Sequence, residues 1–311
     1  MIKIENLVKA FGAKRAVDDI SFSVERGEVL GFLGPNGAGK STTMRMITGF
    51  MPPTSGKISI GAHDVAESPL EAKRLIGYLP ENAASYPDMT VQGFLNFAAE
   101  LRGLQGAARR KAVHRVVELC FLDSVLQQSI DTLSKGYKHR TCLAQALIHD
   151  PQVLVMDEPT DGLDPNQKHE VRNLIRELGA NKAIVFSTHI LEEVDAACTR
   201  AIIIDRGKLV ANGTPEELRG MSQLAGAVTL QARGASLEAL SRIGKVEELD
   251  GAFRIYPADK SKSKQLAQAV IELVAREGWK VEGMYNEAGQ LDEVFRRITL
   301  PDTVKQDTVK K

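Results

Sequence analysis

Residues 34–42, GPNGAGKST, constrain the fold of this chain more than any other stretch of it. They lie between a strand-like apolar run, VLGFL (29–33), and a helix-like one, TMRMITG (43–49). Gly34, Gly39, Lys40 and Ser41 occupy the fixed positions of G-x-x-x-x-G-K-[ST], a spacing that builds a cradle for phosphate. The glycines let the backbone curl so that several N–H groups face one anion. Lys40 brings a mobile positive charge toward the β- and γ-phosphates, and Ser41 Oγ can ligate Mg²⁺. The helix behind them directs its positive end at the same place. Pro35, Asn36, Gly37, Ala38 and Thr42 complete the loop. At the average glycine usage of proteins, about 7%, the pattern arises by chance in on the order of one chain in a hundred of this length. The strand–loop–helix context lowers that further, so nucleotide binding follows.

Further apolar runs end in small or acidic residues: VLVMDE (153–158), AIVFSTH (183–189) and AIIIDRG (201–207). Runs without alternation suit strands covered on both faces, as in a parallel α/β sheet. Helical patterns separate them. In residues 166–179, Val171, Leu174, Ile175 and Leu178 fall on one face, with Pro165 before the start and Gly179 after the end. Residues from about 82 to 150 read as a mainly helical insertion, and GTPEELRG (213–220) closes this first unit, residues 1–220. Beyond it AVTLQAR, KVEEL, AFRIYP and KVEGMY read as four short strands, with helices at about 261–277 and 291–298. That pattern predicts a small α+β domain over 221–300. The polar tail 301–311 reads as disordered.

Two successive carboxylates, Asp157 and Glu158, close the run VLVMDE. In open α/β sheets ligands sit beyond the carboxyl ends of the strands, and alternate strand residues point to opposite sides. Asp157 in that place would hold Mg²⁺ through water, and Glu158 would polarise an attacking water. An acidic pair that merely opens a surface loop is the plainer reading. His189 ends AIVFSTH, where its imidazole could reach a γ-phosphate if that strand neighbours Asp157's. A lone histidine after a strand is more often a loop residue. His63, His114, His139, His149 and His169 have no such placement and read as surface or packing residues.

Composition excludes several partners. Forty basic residues balance forty acidic ones, which argues against general affinity for nucleic acid or anionic lipid and leaves a local patch open. The longest apolar runs are too short to cross a bilayer, and the opening has no signal-peptide core. Cys120, Cys142 and Cys198 lack metal-ligand spacing and read as reduced, mostly buried thiols of a cytoplasmic protein.

LSKGYKHR (133–140) has the look of a second phosphate contact: the Ser134 hydroxyl can donate, Lys135 adds charge, and Gly136 permits close backbone approach. By itself it also reads as a helix N-cap. Taken in order, GPNGAGKST, LSKGY, VLVMDEPTDGLDP and STH resemble the ATPase subunits of ATP-binding-cassette (ABC) transporters over residues 1 to about 220. YLPENAASYPDMTV and the C-terminal domain are most similar to the branch serving multidrug, polysaccharide and gliding-motility type exporters. The resemblance implies an α/β P-loop NTPase domain with a mostly helical insertion, plus the small α+β domain, and ATP with Mg²⁺ as cofactors. It further implies a head-to-tail pair of ATPase subunits, a homodimer first of all, with LSKGY completing the partner's ATP site. Hydrolysis would then power a separate multi-span permease at the cytoplasmic face of the plasma membrane.

By family position Phe11 would stack on adenine, although a core aromatic stays open. Asp161 and Asp164 would lie on the loop that crosses the dimer interface, and Asp164 could also cap the following helix. Glu81 stands where the family usually has Gln, which makes it a candidate for both nucleotide and metal. Lys135 and Tyr137 depart from the usual signature. A soluble ABC ATPase acting on nucleic acid or ribosomes is the alternative; such proteins usually carry two cassettes, a long coiled coil or a zinc-bearing insertion, none of which is seen here. Neither a small-molecule kinase nor a GTPase needs LSKGY followed by DEPT. The C-terminal domain could regulate or stabilise the dimer, or simply cover an apolar patch.

Overall fold

The apolar runs assemble into one sheet because each is too uniformly apolar to leave a face in water. In this computed structural model, which describes residues 1–82, 85–259 and 263–299, all of Val29–Leu33, Val153–Asp157 and Ala183–Thr188 is buried. The sheet has six strands in the order Lys208–Gly213, Arg200–Asp205, Val29–Leu33, Ala183–Thr188, Val153–Asp157, Ile76–Leu79. All pair in parallel except the hairpin strand Lys208–Gly213 at one edge. Successive side chains feed two different cores. Leu30, Phe32, Val153 and Val185 pack toward helix Lys40–Ile47 and an antiparallel sheet. Val29, Leu154, Ile184 and Phe186 pack toward the helices of the insertion.

Register sets the level at which each strand ends. Leu33 lies opposite Thr188, and Asp157 opposite Ser187. The chain therefore leaves three adjacent strands at nearly one level, and residues 34, 158 and 189 exit side by side. The strand ending at His189 does neighbour that of Asp157.

The antiparallel sheet, in the order Lys14–Val24, Ile2–Phe11, Ser55–Ile60, His63–Asp64, has no counterpart in the sequence reading. Its alternation is broken by register shifts between Ile4 and Leu7 and again between Leu7 and Lys9, which blur a period of two. The insertion is helical as expected: Val91–Leu101, Gly106–Leu119 and Lys135–Leu147. Helix Pro165–Gly179 includes both residues expected to flank it, and Asp164 is its N-cap.

By contacts the chain divides into Met1–Thr214 and Pro215–Lys311. Helix Pro215–Gly220, which the sequence pattern places at the end of the first unit, falls with the second. The segment after it is tied to helix Leu291–Thr299 by Arg297 Nη2 donating to Met221 O (2.7 Å) and Gln223 N to Glu293 Oε2 (2.8 Å). Between helices Pro215–Gly220 and Leu291–Thr299 the second unit runs strand, short helix, two strands, helix, strand, in the sheet order Lys245–Leu249, Ala252–Tyr256, Val228–Arg233, Lys280–Asn286. Helix Ser263–Glu277 closes its core through Leu266, Val270 and Leu273. The tail 301–311 lies outside the described residues. Among the described residues no helix is long and apolar enough to cross a membrane.

Candidate nucleotide site

The loop after Leu33 is shaped by close backbone contacts. Gly39 has φ +112°, and a Cβ there would stand 2.4 Å from the Ala16 carbonyl oxygen. Only glycine fits. Gly39 is also the N-cap of helix Lys40–Ile47 and offers no capping side chain, so the helix's leading N–H groups are open to an anion. Lys40 is buried and folds back over its own loop, donating to Gly34 O (2.7 Å) and Pro35 O (3.3 Å). Above the loop lies a cleft of about 450 Å³ lined by Phe11, Lys14, Ala16, Asn36, Gly37, Gly39, Lys40, Ser41, Thr42, Glu81 and Glu158. Gly34, Pro35 and Ala38 turn away from it; Ala38 is buried, and its carbonyl receives the Gly207 N–H (2.9 Å).

Asp157 is 1% exposed, and its Oδ1 accepts from Ser41 Oγ (3.1 Å) and Ser187 Oγ (2.5 Å). The next residue leaves the strand. Glu158 has φ +51°, a left-handed conformation uncommon for a residue with a side chain and unfavourable by about 1 kcal/mol. Its N–H donates to Ser187 Oγ (3.0 Å), which fixes the turn. Separation of the two carboxylates therefore comes from this backbone turn rather than from strand alternation. The Glu158 carboxylate is placed between Lys40 Nζ, 3.6 Å from Oε1, and His189 Nδ1, 3.0 Å from Oε2. A cation, a hydroxyl, two carboxylates and an imidazole thus converge beside the phosphate loop.

Phe11 is half exposed at the cleft, which closes the core-aromatic reading. Glu81 is also exposed there. Ser134, Lys135, Gly136 and Asp164 do not line the cleft. Ser134 Oγ caps its own helix by accepting from Tyr137 N (3.3 Å). Lys135 Nζ pairs with Asp161 Oδ2 at 2.8 Å, and this pairing holds the Asp161 carboxyl below the usual carboxylate range. The extra charge expected at a phosphate is thus engaged within the chain. Gly136 is packed under the Gln167 side chain: a Cβ would stand 2.4 Å from Gln167 Oε1 and would displace the end of that side chain. Asp164 Oδ1 accepts from Gln167 N (3.0 Å). Cys120 and Cys142 are buried, and burial pushes both thiols up to about 12.

The sequence reading missed Ser187, Lys14 and Ala16, and a buried group of Thr160, Thr188 and Glu193. The hydroxyls preceding His189 are the one signal that could have suggested the first and the last.

A glycine-rich loop and helix N-terminus on a parallel sheet, with an acidic strand end beside it, define a P-loop nucleoside triphosphatase. Residues 17–161 match the family model described as ABC transporter. The chain is 38% identical over 232 residues, 74% of each protein, to the linearmycin resistance ATP-binding protein LnrL of Bacillus subtilis (strain 168). It is 33% identical over 305 residues, 96% of this chain and 94% of the relative, to the Nod factor export ATP-binding protein I of Ralstonia nicotianae (strain ATCC BAA-1114 / GMI1000). Its fold matches the dimeric structure of MJ0796, a bacterial ABC transporter cassette, with a TM-score of 0.63 over 69% of this chain and 99% of the other at 23% identity. The chain belongs to the family of ABC transporter ATP-binding proteins: it is a subunit that binds and hydrolyses ATP. None of these relatives is named for action on nucleic acid or ribosomes.

Proposed function

We propose that two copies of this chain pair head to tail around two ATP molecules and so drive a separate multi-span permease that exports its cargo. The observation carrying this is the position of LSKGY. It lies outside the cleft of its own chain, while the Ser134 oxygen accepts its cap bond and keeps its O–H for a further acceptor. A γ-phosphate held by a second copy is an acceptor of the right kind. The similar cassette of dimeric structure and the relatives named for export and resistance support the reading.

Within the cleft, Phe11 would stack on the base, and the loop 34–42 would take the phosphates. Lys40 would exchange its loop carbonyls for phosphate oxygens. Glu158 would accept a proton from the attacking water, with His189 fixing its second oxygen and reaching toward the γ-phosphate. Mg²⁺ fits the donor set: Ser41 Oγ and Asp157 Oδ1 stand 3.1 Å apart with Glu81 on the same cleft. Among the described residues no cluster of three His, Cys, Asp or Glu could cage a metal alone, so nucleotide phosphates would complete its coordination. When bound, the ion neutralises charge on the transferred phosphoryl group, a reaction that asks mainly for positioning. Near Glu81 in sequence, Tyr86, Phe94, Phe97 and Leu101, with the polar Arg102 and Gln145, line a groove of about 460 Å³, the kind of surface a permease at the cytoplasmic membrane face would dock upon.

The test mixes Lys40→Ala with Ser134→Arg subunits. Each alone should lack turnover. An equal mixture should recover roughly a quarter of wild-type activity, since half the pairs are mixed and each has one intact composite site. A mixture no more active than its parts removes the shared-site reading.

A further inference from the structure

The two side chains that flank the reaction leave different strands, yet one buried carboxylate ties their loops together. Glu193 lies in helix Leu191–Ala197, four residues beyond His189, and is 1% exposed. Its Oε1 accepts from Thr160 Oγ1, and its Oε2 accepts from Thr188 Oγ1 at 2.6 Å. Thr160 is two residues past Glu158, and Thr188 directly precedes His189. Both threonines are buried. Thr188 Oγ1 also accepts from Ile190 N at 3.0 Å, so the turn carrying His189 is held on both sides.

A carboxylate sealed from water among hydroxyls is a poor way to stabilise a fold; an apolar side chain of similar volume would serve better. The bridge does, however, have a fixed seat. At the end of the same helix its C-cap, Cys198, packs so closely on Gly31 that a Cβ there would stand 2.6 Å from Cys198 Sγ, and Val194 Cγ2 would be in ordinary contact at 3.5 Å. Gly31 is in Val29–Leu33, the strand that feeds the phosphate loop. Glu193 therefore refers the loop after Glu158 and the turn at His189 to the strand that delivers the phosphates. None of the hydrogen bonds that shape the phosphate loop involves Thr160, Thr188 or Glu193.

We propose that Glu193 is a positioning residue for hydrolysis: through Thr160 and Thr188 it sets the approach of the Glu158 carboxylate to the His189 imidazole. The proposal rests on the hydrolytic role assigned to Glu158. It acts on turnover and leaves ATP binding alone.

The experiment is steady-state ATPase kinetics with parallel ATP-binding measurements on full-length purified variants. Glu193→Ala should lower kcat by roughly 10- to 100-fold, the effect of a displacement near 1 Å, with ATP affinity within about twofold. Glu193→Gln keeps one acceptor and offers an N–H to the second hydroxyl, so it should stay within about threefold of wild type. Thr160→Val preserves volume and removes the hydroxyl. It should lower kcat by at least about fivefold, and combined with Glu193→Ala it should add little. Should Glu193→Ala fail to fold, Thr160→Val decides. Wild-type kcat in a folded Thr160→Val overturns the proposal, as does equal loss in Glu193→Gln and Glu193→Ala, or a rise in KM at constant kcat. Absence of turnover in the wild type, or normal turnover in Glu158→Gln, would sink the hydrolytic reading itself.

Discussion

Glu158 occupies a place where the backbone must reverse and the side chain must meet two partners. Its left-handed φ and the Ser187 hydroxyl beneath its N–H do the first; Lys40 and His189 do the second. Glutamine shares the shape and tolerates the same backbone but cannot take a proton. Glu158→Gln should therefore lower single-turnover hydrolysis at least about 100-fold while ATP affinity holds, and an ATP-bound pair should accumulate on size exclusion. Lys40→Ala should instead weaken ATP binding itself by tenfold or more, read by nucleotide titration. Much of this was legible because a loop, two carboxylates and a histidine each end an apolar run, and strand ends share one edge of a parallel sheet. Ser187 and Glu193 were not. Asp157, which Ser187 meets, and Thr160, which Glu193 meets, lie some thirty residues away in sequence and are brought close only by the fold. Lys135 is a related case: its positive charge is plain in the sequence, its partner Asp161 is not.

The helix Lys135–Leu147 shows how an element is held at one angle. Near its start, Arg140 faces the rings of Phe121 and Tyr137 at 5.7 and 5.9 Å and pairs with Glu170 at 2.5 Å. Tyr137, a departure from the usual signature, thus has a packing role. At its far end, the helix rests on Gly77 so closely that a Cβ would stand 2.3 Å from Ala146 O and 2.8 Å from Pro151 Cγ. Gly77→Ala should push the helix from the sheet and destabilise the unit by about 1–3 kcal/mol, seen as a lower midpoint in urea. The helices of this insertion were visible from their periodicity, and the parallel strands from their unbroken apolar runs. The antiparallel sheet escaped because its bulges interrupt the alternation that would have marked it.

For the whole molecule, acid should loosen the fold through two histidines. Burial first, and Arg102 next, depress His149 from 6.5 to about 4, and burial also depresses His139. Between those values the folded form keeps His149 neutral, donating from Nε2 to Ile76 O, whereas the unfolded chain takes up a proton. The unfolded state binds more protons in that window, so stability falls as pH drops from 6.5 toward 4. His149 should contribute on the order of 2 kcal/mol after allowance for its partial exposure. Urea unfolding at pH 7 and pH 5 should show the loss, and His149→Gln should flatten it. The placement of LSKGY outside its own cleft has a consequence of another kind. If each reaction centre is finished by a neighbour, a solitary chain can store ATP without consuming it. The rate should then approach second order in chain when dilute, so that specific activity climbs in proportion to protein concentration. Waste would then be avoided by stoichiometry: fuel would burn only where two copies are gathered, and a membrane partner that gathers them would decide where that is.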